Sequence, residues 1–197
     1  MRFENIGFDI DDTVANTRKI LMDYFIKKYG QSSIKTKNSR ISIKGVSEED
    51  LSKKIMWLIN ENILNIEPTT GSKEVIKSIY SYNKKPIVFI SKRPTYQEEK
   101  SLEWIKKTFK VPCVVKCIGR SNKSDYIKKY NLNYFVEDYL NVSEEIVKNS
   151  NCKVFLLKNN EINSDLNASK ISNNIILCEN INNVLYKWFE IVNKMKT

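Results

Sequence analysis

The stretch "IGFDIDDTVANT" (residues 6–17) sets Asp9, Asp11 and Asp12 directly behind a short apolar run. Acids this close repel one another, and a buried carboxylate without a partner is costly or shifts its pKa. Three later stretches carry residues that would relieve the repulsion. Ser91, Lys92 and Arg93 follow "PIVFI", Lys123 lies in "SNKSD", and "YFVED" ends in Glu137 and Asp138. Carboxylates from two strand ends form a hard oxygen site suited to Mg²⁺. A serine and a lysine converging on it would bind the remaining oxygens of a phosphate. With the charge screened, one carboxylate can approach a dianion as nucleophile.

Composition narrows the chemistry further. The chain of 197 residues contains no histidine, which excludes Ser-His-Asp and Cys-His catalysis, His-based phosphoryl transfer and His-ligated metals. Carboxylates, lysines, hydroxyls and thiols are left. The formal net charge of +10 suits a phosphorylated or nucleic-acid partner, but no Lys/Arg block forms a continuous basic arm. Lysines spread over solvated faces are the simpler reading. Cys113, Cys117, Cys152 and Cys178 match no metal-site spacing and read as buried free thiols of a cytoplasmic protein. No stretch approaches the roughly 20 apolar residues of a membrane span, and no leader peptide is expected.

The elements that must position these residues alternate along the chain. Strands are expected at 3–9, 86–90, 113–118, 134–138, 152–157 and 174–178. Helices are expected at 15–29, 47–65, 72–82, 96–109, 124–130, 142–149 and 181–195, the last burying Ile181, Val184, Leu185, Trp188, Val192 and Met195. Residues 31–47 read as a polar linker. Strand–helix alternation implies an α/β, doubly wound, mostly parallel Rossmann-like sheet, whose ligands bind at the carboxyl ends of the strands. The acids of the opening stretch lie at such an end.

D-I-D-D-T after one strand, F-I-S after a second, Lys123 downstream and E-D closing a fourth resemble the haloacid dehalogenase superfamily of phosphohydrolases, over roughly residues 5–140. The resemblance implies that Asp9 attacks phosphorus and that Asp11 protonates the leaving alcohol, then activates water. It implies Mg²⁺ on the Asp9 side chain, the Asp11 carbonyl and Asp138. Thr13 fixes the loop, Ser91 binds the phosphoryl group, and Lys123 pairs with Asp9 and phosphate. Lys92 and Arg93 are candidates to hold substrate phosphate. For these roles Asp9 must stay ionised, and the neighbours of Asp11 should raise its pKa. Asp12 reads instead as a cap or loop residue.

The resemblance also implies a small helical cap at 17–68 inserted in a catalytic core of 1–16 and 69–197. "IEPTTGSKEVIKSI" with "PIVFISKRP" looks like the 5'(3')-deoxyribonucleotidase-like branch, which favours a small phosphorylated substrate such as a nucleotide. Tyr24, Phe25, Tyr29 and Trp57 are candidates to stack on a base, and the linker cations Lys35, Lys37, Arg40 and Lys44 to meet an anion. That branch commonly has Gly where Asp12 stands, Ser-Pro for Ser91-Lys92, and Asp for Glu137. Two other readings stand beside it: a polynucleotide 3'-phosphatase and a non-catalytic binding module.

Overall fold

The computed structural model describes residues 5–37, 40–158 and 172–194. Its centre is a six-stranded sheet in the order β5-β4-β1-β6-β7-β8. The strands are β1 (Ile6–Phe8), β4 (Ile87–Ser91), β5 (Cys113–Cys117), β6 (Tyr134–Glu137), β7 (Lys153–Leu157) and β8 (Ile175–Cys178). Every neighbouring pair is parallel. Such a sheet is covered on both faces, so its strands read as nearly continuous apolar runs.

Side chains alternate between two cores, as the two-residue period of a strand requires. Phe8, Ile87, Phe89, Tyr134, Val136, Phe155 and Leu157 point to one face. There they meet α3 (Ser72–Asn83), α4 (Glu98–Phe109) and α7 (Ile181–Lys194) through Val75, Ile79, Trp104, Ile105, Val184 and Trp188. Val88, Ile90, Phe135, Val154 and Leu156 point the other way, onto Ile127 of α5 (Lys123–Lys129) and Ile146 of α6 (Leu140–Asn149). Gly7 sits in the central strand facing this second layer. A Cβ there would lie 2.6 Å from Leu132 Cδ1 and 3.1 Å from the Val88 carbonyl oxygen, so the layer closes on the bare backbone.

Between β1 and α3 the chain makes an insertion. It holds α1 (Thr17–Tyr29), an antiparallel hairpin of β2 (Ile34–Lys37) and β3 (Arg40–Ile43), and α2 (Glu48–Asn62). Ser47 caps α2 by accepting the Asp50 N–H at 3.1 Å. The chain enters and leaves the insertion side by side: Asn16 N–H donates to the Glu67 carbonyl and Thr69 N–H to that of Val14.

The expected α/β sheet and every expected strand and helix are present, with ends moved by a few residues. The hairpin is the correction. The segment 31–47 is not a plain linker, because Ile34 pairs with Ile43 and both are buried, while the alternate pair, Lys35 and Ser42, is exposed. Two strands of four residues leave too short an alternation to stand out among polar neighbours. The first residues of the first expected strand, Met195, and the Lys37 and Arg40 side chains lie outside what is described. Among the described residues no helix is long and apolar enough to cross a membrane.

Candidate active site

The carboxyl ends of β1, β4 and β6 and the start of α5 bring Asp9, Asp11, Ser91, Arg93, Lys123, Glu137 and Asp138 together. Asp9 directly follows β1, and its N–H still pairs with the Val136 carbonyl of β6, so its side chain leaves from rigid sheet. Lys123 opens α5 and is 2% exposed. Its ammonium donates to Asp9 Oδ1 and, at 2.7 Å, to Glu137 Oε2. The Phe135 ring lies below it at 5.4 Å. Burial disfavours the ammonium, but Asp9 and Glu137 overcome this and hold its pKa above the ordinary lysine value.

Glu137 has partners on both oxygens. Its second oxygen accepts the N–H groups of Asp138 and Tyr139 at 3.2 and 3.3 Å. It therefore positions Lys123 and the turn that follows β6. The Asp138 carboxylate faces the Thr13 hydroxyl at 3.5 Å. Carboxylate oxygens of Asp9, Glu137 and Asp138 all lie within 4.8 Å of one another.

Three carboxyl groups meet one lysine, so full ionisation would leave two negative charges unpaired. The titration behaviour reflects it. Burial, with Glu137 and Asp11 beside it, pushes Asp9 up to about 8 in spite of Lys123. Burial, then Glu137 and Asp9, lifts Asp138 well above the usual carboxylate range. A close set of hard carboxylate oxygens fits Mg²⁺, and Asp9, Glu137 and Asp138 are the residues placed to hold it.

Asp11 departs from expectation. Its carboxylate accepts Arg93 Nη2 at 2.8 Å and Nε at 3.0 Å, Thr17 Oγ1 at 2.5 Å and Ser91 Oγ at 3.2 Å. Burial pushes its pKa up, but Arg93, Thr17 and Ser91 together hold it below the ordinary value. The expected rise is absent because a bidentate guanidinium favours the ionised form.

Arg93 thus sits on Asp11, with its remaining nitrogen on Ser101 Oγ at 3.0 Å. Ser91 uses its hydroxyl on Asp11 and accepts the Arg93 N–H at 3.1 Å. Lys92 turns away from the acids, and its ammonium donates to the Ser121 carbonyl at 2.7 Å, tying the loop after β4 to the one before α5. Thr13 is buried, and its carbonyl accepts the Thr69 hydroxyl at 2.8 Å.

Asp12 has a positive φ of 56° and accepts the Arg18 N–H at 2.7 Å, which caps α1 from outside the helix. The left-handed backbone explains why glycine suits this position and why aspartate is tolerated there. Thr17 and Ser101 were not among the expected site residues. Thr17 reads in sequence as an ordinary helix-start threonine, and Ser101 carries no local signal at all.

No protein-family model and no curated protein sequence matches the chain. Solved structures do. A HAD-superfamily hydrolase from Ehrlichia chaffeensis superposes with a TM-score of 0.57 at 11% identity, over 98% of this chain and 99% of that one. A predicted phosphoglycolate phosphatase from Haemophilus somnus 129PT reaches a TM-score of 0.61 at 16% identity, over 94% and 98%. A D,D-heptose 1,7-bisphosphate phosphatase from B. bronchiseptica, complexed with magnesium and phosphate, gives 0.54 at 10% identity, over 95% and 98%. At these identities the likeness is one of fold, and the fold is the haloacid-dehalogenase-like one.

Proposed function

We propose that the chain is a Mg²⁺-dependent phosphomonoester hydrolase with Asp9 as nucleophile. One observation carries the reading: Lys123 is buried between Asp9 and Glu137, with Asp138 beside them, so three buried carboxyl groups share one cation. A structural ion pair would balance its charges, since unbalanced buried charge is costly. A site that must take a cation and an anionic substrate would not.

Asp9 attacks phosphorus, the ester P–O bond breaks, and the alkoxide leaves with a proton from Asp11. Water then attacks the aspartyl phosphate, Asp11 takes its proton, and inorganic phosphate departs with Asp9 restored. Bound Mg²⁺ supplies charge neutralisation and polarises the phosphoryl oxygens. Lys123 aims the attacking oxygen of Asp9 and opposes the burial that favours its protonation, which a bound cation would oppose further. Arg93 holds Asp11 as a carboxylate, the form needed to activate water. A phosphate dianion arriving next to Asp11 raises its proton affinity by repulsion, which opposes Arg93 and favours the acid form.

The substrate we assign is a small phosphorylated metabolite, with a nucleotide preferred on the resemblance around residues 66–94. Purified protein with Mg²⁺ is expected to hydrolyse para-nitrophenyl phosphate, EDTA to stop it, and Asp9→Asn to abolish it. Undiminished turnover by Asp9→Asn overturns the mechanism. A panel of 5'- and 3'-mononucleotides against sugar phosphates tests the substrate class, and a clear preference for sugar phosphates overturns the nucleotide assignment.

A further inference from the structure

One segment of the chain carries many cations and almost no acids. Residues 17–47 carry eight lysines and arginines (Arg18, Lys19, Lys27, Lys28, Lys35, Lys37, Arg40, Lys44) against one acid, Asp23. That is a net +7 of the whole chain's +10. These residues build α1 and the hairpin of the insertion; α2, which packs against them, adds Lys53 and Lys54 with Glu48, Glu49, Asp50 and Glu61, so residues 17–62 carry a net +5.

Across α1 and α2 runs a row in which rings and cations alternate. The Lys28 ammonium lies 5.2 Å from the Tyr29 ring centroid and 5.8 Å from that of Tyr24. Lys54 lies 5.4 Å from the Tyr24 ring and 4.1 Å from that of Trp57. The order is Tyr29, Lys28, Tyr24, Lys54, Trp57. Nearby lysines on the same helices use the available acids, Lys19 with Asp23 and Lys53 with Glu49. Lys28 and Lys54 face rings instead, and among the described residues neither pairs with a carboxylate.

The Trp57 end of the row is tied to the catalytic core. The Gln97 side-chain amide donates to the Met56 carbonyl at 3.1 Å and reaches the Tyr96 hydroxyl at 3.5 Å. This ties the turn of α2 that carries Trp57 to the segment four residues beyond Arg93. Tyr96 is 65% exposed and Trp57 49%, so both offer ring surface to solvent. Helix packing accounts for Phe25 and Leu21, which are buried, and in part for Tyr24 and Tyr29, which are half-buried against the core, but not for Trp57 and Tyr96.

We infer that this face of the insertion is a binding track for single-stranded nucleic acid. Alternating rings and cations match alternating bases and phosphates, and stacking on a ring needs the unstacked base face that a single strand offers. The row spans two helices, beyond the reach of one mononucleotide base. This goes beyond the hydrolase reading and stands or falls apart from it, because binding requires no turnover.

The test uses the full chain and a fluorescein-labelled oligothymidylate of about 12 nucleotides without a terminal phosphate, followed by anisotropy. Binding is expected at about 50 mM salt, weakening as salt rises, with the duplex of the same length bound less well. Each of Lys28→Ala and Lys54→Ala is expected to flatten the slope of log K against log salt by about 0.7. Trp57→Ala is expected to weaken binding between about fivefold and a hundredfold.

Trp104 and Trp188 are buried, so quenching of tryptophan fluorescence by the oligonucleotide reports Trp57 alone and should vanish in Trp57→Ala. Hydrolysis of para-nitrophenyl phosphate by Lys28→Ala and Lys54→Ala should be unchanged, and Asp9→Asn should bind the oligonucleotide as wild type does. No oligonucleotide binding at about 50 mM salt overturns the inference. So does binding that Trp57→Ala and Lys54→Ala leave untouched. Preference for phosphatidylserine vesicles over the oligonucleotide, with the same variants affected, overturns it in favour of a membrane surface.

Discussion

Arg93 commits Nε and Nη2 to Asp11 and Nη1 to Ser101, and it is 2% exposed. A guanidinium held this way does not swing freely toward a substrate. It acts on Asp11. Arg93→Lys keeps the charge but loses the planar fork and the Ser101 bond. The expected loss of stability is about 1.5–3 kcal/mol, the worth of a charged hydrogen bond, read by denaturant unfolding. In steady-state kinetics kcat should fall about tenfold or more with KM little changed, because the lost contact is to the proton-transfer group rather than to substrate. A raised KM at constant kcat would return Arg93 to the substrate-binding role that its sequence position suggests. Asp9, Lys123 and the Glu137-Asp138 pair are legible in sequence because each closes or follows an apolar run. The grip on Asp11 is not, since Thr17, Arg93 and Ser101 meet only once α1, the loop after β4 and α4 are folded.

At the scale of elements, the parallel sheet is readable because both of its faces are covered. "PIVFI" or "KVFLL" then shows an apolar run that no exposed strand would have. The hairpin at 34–43 is not readable, because only Ile34, Ile41 and Ile43 mark it, between polar residues. The loop after β1 shows how a local conformation decides a residue. Asp12 combines a left-handed backbone with a cap on Arg18 N–H. Asp12→Gly keeps the backbone at ease and loses only the cap, so a cost of about 0.5–2 kcal/mol is expected. Asp12→Val loses the cap as well and forces a β-branched residue to positive φ, which adds about 1–3 kcal/mol. Thermal melts of the two variants should rank Gly well above Val. Equal melting would mean that the φ of Asp12 carries no strain.

For the molecule as a whole, an insertion of net charge +4 (residues 17–68) is joined to a core whose site gathers three carboxyl groups around one lysine, and the site governs the response to pH and cations. The acids dominate between about pH 4 and about pH 8. Burial raises Asp9 to about 8 and Asp12 to about 6, so over this window the folded chain binds more protons than the unfolded one. A group with a raised folded pKa contributes stability at low pH that is lost as pH climbs through that pKa. Asp11, held low by Arg93 against burial, has the opposite sign. It stabilises above the ordinary carboxylate pKa, and its contribution disappears only as pH falls through its folded value.

The EDTA-treated protein should therefore melt at a lower temperature at about pH 8 than at about pH 5. Mg²⁺ competes with the proton that Asp9 and Asp138 retain, so it should raise the melting temperature more at the higher pH. Asp9→Asn removes a charge from the cluster and should flatten the pH dependence of the metal-free protein. Differential scanning calorimetry at the two pH values, with and without Mg²⁺, separates these outcomes. A Mg²⁺ shift equal at both pH values, or unchanged in Asp9→Asn, would mean that the cation binds elsewhere on the chain.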